Sequence, residues 1–327
     1  MNYKRLVKDM NHKLRTTNNE RRTKIAAIDI GTNTILMLIA EIEGHRITRI
    51  IRDEHAIARL GKGVDENRFL VPETFERVLG FVQSYRQIAL LEGVEAIRAC
   101  GTSALRDAEN REEFVKFIFD HTGIKIRILS GVEEALMTYR GALWGFPESN
   151  AVRGVLDIGG GSTELIYGCG SNILENKSLD IGSVRLTERI LRKSPPDLEA
   201  LHTANDYIRN QLKFFPPFAD GSILYGVAGT LTTLAALDQN LEFFDGLKIH
   251  GYRLPKSHID TIFERLAKLT LPEILHYPAI LPDRADIILG GILILKEVLS
   301  YFSIPEIVVS RQGLRYGMML EAITSTL

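Results

Sequence analysis

Short apolar runs set the rhythm of the chain, and most have the length of strands. Lys24 to Ile30, Ile35 to Ile42 and Ile47 to Asp53 follow one another closely, as in a three-stranded meander. The period then changes: behind Pro72, apolar Phe75, Val78, Leu79, Val82 and Tyr85 recur at helical spacing, which predicts a helix to Leu91. Val94 to Cys100 returns as a strand. Asn110 with Glu113 three residues on predicts a capped helix to His121, ended by Gly123. Ile124 to Leu129 is a further strand, and Gly131 opens a helix to about Trp144. After Asn150 the alternation starts again. Strands run to Ile181, then helices cover Asp197 to Phe215, Lys256 to Leu269 and Arg284 to Phe302, with strands at Ser222 to Ala228 and Ile307 to Ser310 and a last helix at Gly313 to Leu320. Ile287 to Phe302 is the most apolar helical run. It is short and carries Lys296 and Glu297, so it reads as a core helix and not a membrane span.

Two strand–turn–strand units stand out. Asp157-Ile158-Gly159-Gly160-Gly161-Ser162-Thr163-Glu164 puts three glycines and two hydroxyls between two carboxylates. Glycine lets backbone approach a ligand closely, and successive free N–H groups form a concavity suited to phosphate. Asp157 and Glu164 repel phosphate but suit a divalent cation that binds it. About a domain's length upstream, Asp29-Ile30-Gly31-Thr32-Asn33-Thr34 repeats the pattern in weaker form. Two such units predict an α/β fold built by duplication, with a ligand gripped between the halves.

Other loops carry candidate chemistry. Gly101-Thr102-Ser103-Ala104-Leu105-Arg106 follows a strand, where α/β folds place ligand loops, and the Arg106 guanidinium matches phosphate oxygens; a surface ion pair is the competing reading. Ser130-Gly131-Val132-Glu133-Glu134-Ala135 opens a helix. Dipole pairing accounts for Glu133, whereas Glu134 has the chemistry to orient a water if the helix start faces the cleft. Gly229 and Thr230 begin a helix and are candidates for a nucleotide or distal phosphate contact, with a plain N-cap as the alternative. The loop Arg59-Leu60-Gly61-Lys62-Gly63 is either a flexible turn or a cleft edge.

Composition narrows the setting. A hydrophobic fraction of 45% against 25% charged residues is that of a globular protein, and 327 residues suffice for two domains. A net charge of -1 gives no bulk attraction to nucleic acid or membrane. Two cysteines, Cys100 and Cys169, exclude a disulfide framework and point to the cytoplasm. The histidines show no metal-ligand spacing. Residues 1–23 form a basic extension, either frayed or a docking arm.

Together the segments at 27–34, 101–106, 130–135, 157–164, Ser183-Val184-Arg185-Leu186-Thr187-Glu188 and Gly226-Val227-Ala228-Gly229-Thr230 resemble the exopolyphosphatase / guanosine pentaphosphate phosphohydrolase family, in the family's order and over most of the chain. The resemblance implies an actin-like (ribonuclease-H-like) duplicated fold in its short form. Domain I would span residues 24–136 with 313–327 returning to it, domain II residues 137–312, and a cleft would lie between them. There are two departures from the family pattern. Leu136 stands where many relatives have arginine, and Arg311-Gln312 replaces a more usual acidic–basic pair.

The resemblance also implies roles. Gly31, Thr32, Asn33 and Thr34 would cradle terminal phosphates opposite Gly159, Gly160, Gly161, Ser162 and Thr163. Arg106 would grip the departing phosphoryl group, and Glu134 would deprotonate the attacking water. Asp157 and Glu164, with Asp29, would hold Mg²⁺ or Mn²⁺. The expected activity is metal-dependent hydrolysis of terminal phosphoanhydrides, with inorganic polyphosphate as substrate and guanosine pentaphosphate as the alternative. A long polyanion needs a basic track that a homodimer would supply; a nucleotide needs a base pocket. An actin-like kinase is disfavoured by Glu134 as a water activator. A non-catalytic anion sensor is disfavoured by the clustered carboxylates.

Overall fold

The computed structural model describes residues 22–324, apart from residues 45, 214 and 220. Most of the basic extension lies outside the described residues, and its last two residues already belong to the first strand, β1 (Arg22–Ile30). The first sheet continues with β2 (Thr34–Glu43), β3 (Arg46–Ile57), β4 (Ala96–Gly101) and β5 (Ile126–Ile128), in the order β3-β2-β1-β4-β5. The second contains β6 (Val152–Ile158), β7 (Thr163–Cys169), β8 (Asn172–Leu179), β9 (Ile223–Val227), β10 (Arg253–Pro255) and β11 (Glu306–Val309), in the order β10-β11-β9-β6-β7-β8. Read from β8 to β11, the second sheet repeats the first: an antiparallel meander, then parallel strands beside its first member. This is the duplicated actin-like arrangement, with one glycine turn at the head of each meander.

The helix Pro72–Leu91 lies where its apolar period places it, burying Phe75, Val78, Leu79, Val82 and Tyr85 against the first sheet. Helix Ile288–Tyr301 is buried on nearly every side in the second core, as its composition requires. No helix among the described residues is long and apolar enough to cross a membrane. Asn110 does not cap its helix. Its side chain instead pairs with the backbone of Leu70, accepting from the N–H at 2.9 Å and donating to the carbonyl at 2.8 Å. A distant loop therefore outcompetes the local cap. The capping box forms at Ser130 and Glu133, where each side chain accepts from the other residue's N–H.

Two helices join the halves. The boundary expected after residue 136 falls inside the unbroken helix Gly131–Leu143, so a helix and not a linker carries the chain between sheets. Its residues Ala135, Tyr139, Ala142 and Leu143 pack on the second sheet. Its Met137 meets helix Leu314–Thr324, which in turn packs on β1 and β2, as expected of a returning segment. The helices cross backbone to backbone. A Cβ on Gly141 would lie 2.1 Å from the Gly313 carbonyl oxygen, and one on Gly317 would lie 1.9 Å from that of Met137. Gly141→Ala is expected to lower stability by about 1–3 kcal/mol through overpacking. Gly80→Ala is the control. It sits in helix Pro72–Leu91 with nothing within 4 Å of an added Cβ, and should gain about 0.5–1 kcal/mol. Denaturant midpoints measure both, and equal destabilisation would refute the close crossing.

Candidate active site

The two glycine turns meet at the cleft floor. Each is closed by the same backbone bond: Gly31 N–H to the Thr34 carbonyl at 2.9 Å, and Gly159 N–H to the Ser162 carbonyl at 3.0 Å. The turns touch each other, because a Cβ on Gly160 would come within 3.0 Å of the Thr32 Cβ, and one on Gly161 within 2.6 Å of the Ser103 Oγ. The Gly159 and Gly160 carbonyls are tied back by the N–H groups of Ser183, Val184 and Arg185. Among the described residues, the N–H groups of Thr32, Asn33, Gly160 and Gly161 have no acceptor. That is the inventory of an anion cradle. Gly31, Thr32, Asn33 and Thr34 line the cleft, as do Gly159, Gly160, Gly161 and Ser162. Thr163 does not: its hydroxyl donates to the Ile181 carbonyl at 2.8 Å, fully buried behind the turn, so it does not face a ligand.

Four carboxylates face this floor: Asp29, Glu134, Asp157 and Glu164. β-Pairing sets Asp157 directly opposite Glu164, so two like charges share one face. The matching position opposite Asp29 is Leu36, so the duplicated unit lacks the second acid. Glu134 is brought in by Gly131, whose missing side chain lets the helix start close on Ser178: a Cβ there would lie 2.8 Å from the Ser178 Cβ. Ser178 in turn donates to Glu164 at 2.7 Å. Burial raises the proton affinity of all four, and their mutual repulsion raises three of them further. Asp29 is pushed up to about 7 and Asp157 to about 8, while Glu164 and Glu134 are also raised. For Glu134 the opposing influence is Arg106, whose Nη1 donates to Glu134 Oε2 at 2.5 Å and to the Leu129 carbonyl at 3.1 Å. Arg106 itself sits beside the cleft lining, with Nε and Nη2 left as further donors.

The cleft holds about 470 Å³. Gly229 and Thr230 line it away from the carboxylates, among apolar Ala236, Phe244, Leu281 and Ile287. Several lining residues were not legible as site residues in the sequence. β3 runs on to Ile57, past the expected end at Asp53, and places Asp53 and His55 on one face of the strand. Asp53 accepts two bonds from Arg315, at 2.9 and 3.2 Å. His55 Nε2 lies 2.6 Å from Arg284 Nη2; burial and that guanidinium push the imidazole down to about 4, so it stays neutral and accepts. Arg284 fills the space that a side chain on Gly229 would need. Strand period is the one sequence signal that could have set Asp53 and His55 on a common face; no local pattern marks Arg284 as a site residue. Of the two departures, Leu136 lies outside the lining, whereas Gln312 lines the cleft with its Oε1 buried and unpartnered.

The donor set suits a hard divalent cation. It is all oxygen, it is strongly acidic, and Asp29 Oδ1 is buried without a partner. Among the described residues, no three His, Cys, Asp or Glu side chains close around a metal by themselves. This fits Mg²⁺, which keeps water and takes one or two carboxylates plus substrate phosphates.

Comparisons with known proteins show the family and the fold. A model of the Ppx/GppA phosphatase family matches residues 38–326. Exopolyphosphatase 2 of Mycobacterium tuberculosis is 34% identical over 287 residues, covering 84% of this chain and 90% of that one. Among solved structures, an exopolyphosphatase from Cytophaga hutchinsonii superposes with a TM-score of 0.85 at 27% identity, covering 93% of this chain and 98% of that one. A Ppx/GppA family member from Aquifex aeolicus gives 0.79 at 30% identity, covering 94% and 99%.

The raised acids predict a pH dependence. Asp29 and Asp157 bind protons more tightly folded than unfolded. Their stabilising contribution is therefore complete below about pH 4 and lost as pH rises through 7 and 8. Metal-free protein should lose stability across that window, and Asp157→Asn should flatten the loss. Denaturant titrations at several pH values test this; an unchanged slope in the variant would contradict it.

Proposed function

The chain belongs to the Ppx/GppA phosphatase family, and from that premise we propose that it hydrolyses the terminal phosphoanhydride bond of inorganic polyphosphate, releasing orthophosphate. The observation that carries the reading is Glu134: a buried carboxylate with raised proton affinity, held by Arg106, above two turns with unpaired N–H groups. Polyphosphate is favoured by the likeness to exopolyphosphatases.

In this mechanism the turn N–H groups bind and orient the terminal phosphates. Glu134 takes a proton from a water as the water oxygen bonds to the terminal phosphorus. The bridging P–O bond breaks, and the shortened chain leaves with the electron pair. Arg106 holds Glu134 through Nη1 and offers its remaining donors to the phosphoryl oxygens. Asp157 and Glu164 would hold Mg²⁺ or Mn²⁺, with the Asp29 carboxylate adding negative charge to the same floor; bound there, the ion would supply charge neutralisation at the phosphate oxygens. Catalysis of this kind is mostly positioning and electrostatics. A second reading, guanosine pentaphosphate, is favoured by the apolar lining near Phe244 and Leu281, which suits a base. A basic track for long chains would come from a homodimer, which light scattering tests.

Glu134→Gln should lower kcat by about 10²–10⁴ with substrate binding retained. Arg106→Ala should lose turnover and affinity together, and EDTA should abolish activity. The assay is phosphate release from short polyphosphate, long polyphosphate and guanosine pentaphosphate side by side. Release from none of them overturns the proposal, wild-type turnover in the glutamine variant overturns the base, and full activity in EDTA overturns the metal.

A further inference from the structure

The Ser183–Glu188 segment has no part in the mechanism above, although it touches one of the phosphate turns. We propose that Arg185 is a positioning residue for the hydrolysis: a latch across the cleft that sets the separation of the two turns. The proposal rests on the functional reading just given.

Three observations carry it. First, helix Ser183–Arg189 is fastened to the second turn, since the N–H groups of Ser183, Val184 and Arg185 donate to the Gly159 and Gly160 carbonyls at 2.9–3.1 Å. Second, the Arg185 side chain, only 5% exposed, reaches into the other half of the molecule. Its Nε lies 3.1 Å from Asp65 Oδ1, and its Nη2 donates to Asp107, at the end of the helix that carries Ser103. Its Nη1 pairs with Asp180, which is on its own side. One turn of helix later, Arg189 clamps the same Asp65 through two bonds of 2.5 and 2.6 Å. Third, a single layer of residues separates this cluster from the cleft. Thr32, Ser103 and Gly161 line both the cleft and the small cavity in front of Arg185. A shift of Arg185 against Asp107 is thereby passed to Thr32 and Gly161, where the turns meet.

The alternative is simple adhesion between halves. Geometry argues against it. The helices on the other side of the molecule meet through close backbone contact and apolar side chains, which are less directional than a charged hydrogen bond. The Arg59 pairs with Asp283 and Asp286 also span the halves, but these are solvent-accessible and weak. The Arg185 guanidinium is buried, and across the cleft it combines a directional Nη2 hydrogen bond to Asp107 with an ion pair to Asp65. Because this chemistry depends on placement, a misfit of about 1 Å can cost roughly 10² in rate.

The test compares wild type with Arg185→Gln, Arg185→Lys and Asp107→Asn, the last being near-isosteric and partly exposed. Phosphate release from polyphosphate gives kcat and KM per folded molecule, and melting gives stability. Spin labels at Lys116→Cys and His202→Cys, in a chain with Cys100→Ala and Cys169→Ser, report the distance between halves. The expected result is a fall in kcat of about 10–10² for Arg185→Gln, a smaller one for Asp107→Asn, partial recovery with lysine, little change in KM, and a broadened label distance. Unchanged kcat in a folded Asp107→Asn or Arg185→Gln chain overturns the latch, as does lower melting alone. If Arg185→Gln does not fold, Asp107→Asn decides. If wild type releases no phosphate, the functional reading fails by itself, and an unbroadened label distance then overturns the latch separately.

Discussion

The cleft depends on two helices that cross with their backbones in direct contact. Gly141 and Gly317 let Gly131–Leu143 and Leu314–Thr324 approach until the carbonyl oxygens of Gly313 and Met137 nearly occupy their Cβ positions. The first helix delivers Glu134 at one end, the loop before the second delivers Gln312 to the cleft, and the first turn of the second brings Arg315 to Asp53. A wider crossing would separate the base from the turns it serves.

The duplication is structural, but the chemistry is lopsided. Both turns close with the same hydrogen bond, yet Glu164 in one half has Leu36 as its counterpart in the other. Acidity is concentrated on the second sheet and supplemented by Glu134 from the connecting helix. Four buried acids so close together oppose folding at neutral pH, since each raises the proton affinity of its neighbours. Such a cluster makes physical sense in a site built to bind a cation. Arg106 offsets part of the charge at Glu134, the acid proposed to take the proton from water.

Local pattern carried far. The helix at Pro72–Leu91 and the strands around both turns follow from spacing, because each element buries one face or a whole run. Where a distant partner competed with a local one, pattern misled. Asn110 is bound by Leu70 and not by its own helix, and Thr163 turns its hydroxyl to Ile181 and not to the cleft. The strand carrying His55 is longer than its apolar run because it stays paired with β2 as far as Ile57, opposite Thr34. Arg284, expected as the first residue of the apolar helix, instead closes the 3-10 turn Pro282–Arg284 before that helix and reaches the cleft from there.

The sequence by itself determined the alternation of elements, the two glycine turns and the residue types that can bind phosphate and cation there, because these depend on backbone freedom and charge within a few residues. Tertiary structure alone decided which groups meet. Asp157 faces Glu164 by strand register, Arg106 reaches Glu134 across two loops, and Arg185 meets Asp65 and Asp107 from the other half. Contacts between residues far apart in the chain depend on how the sheets are set against each other. That setting is fixed by burial and close packing over the whole molecule, and no short window of sequence contains it.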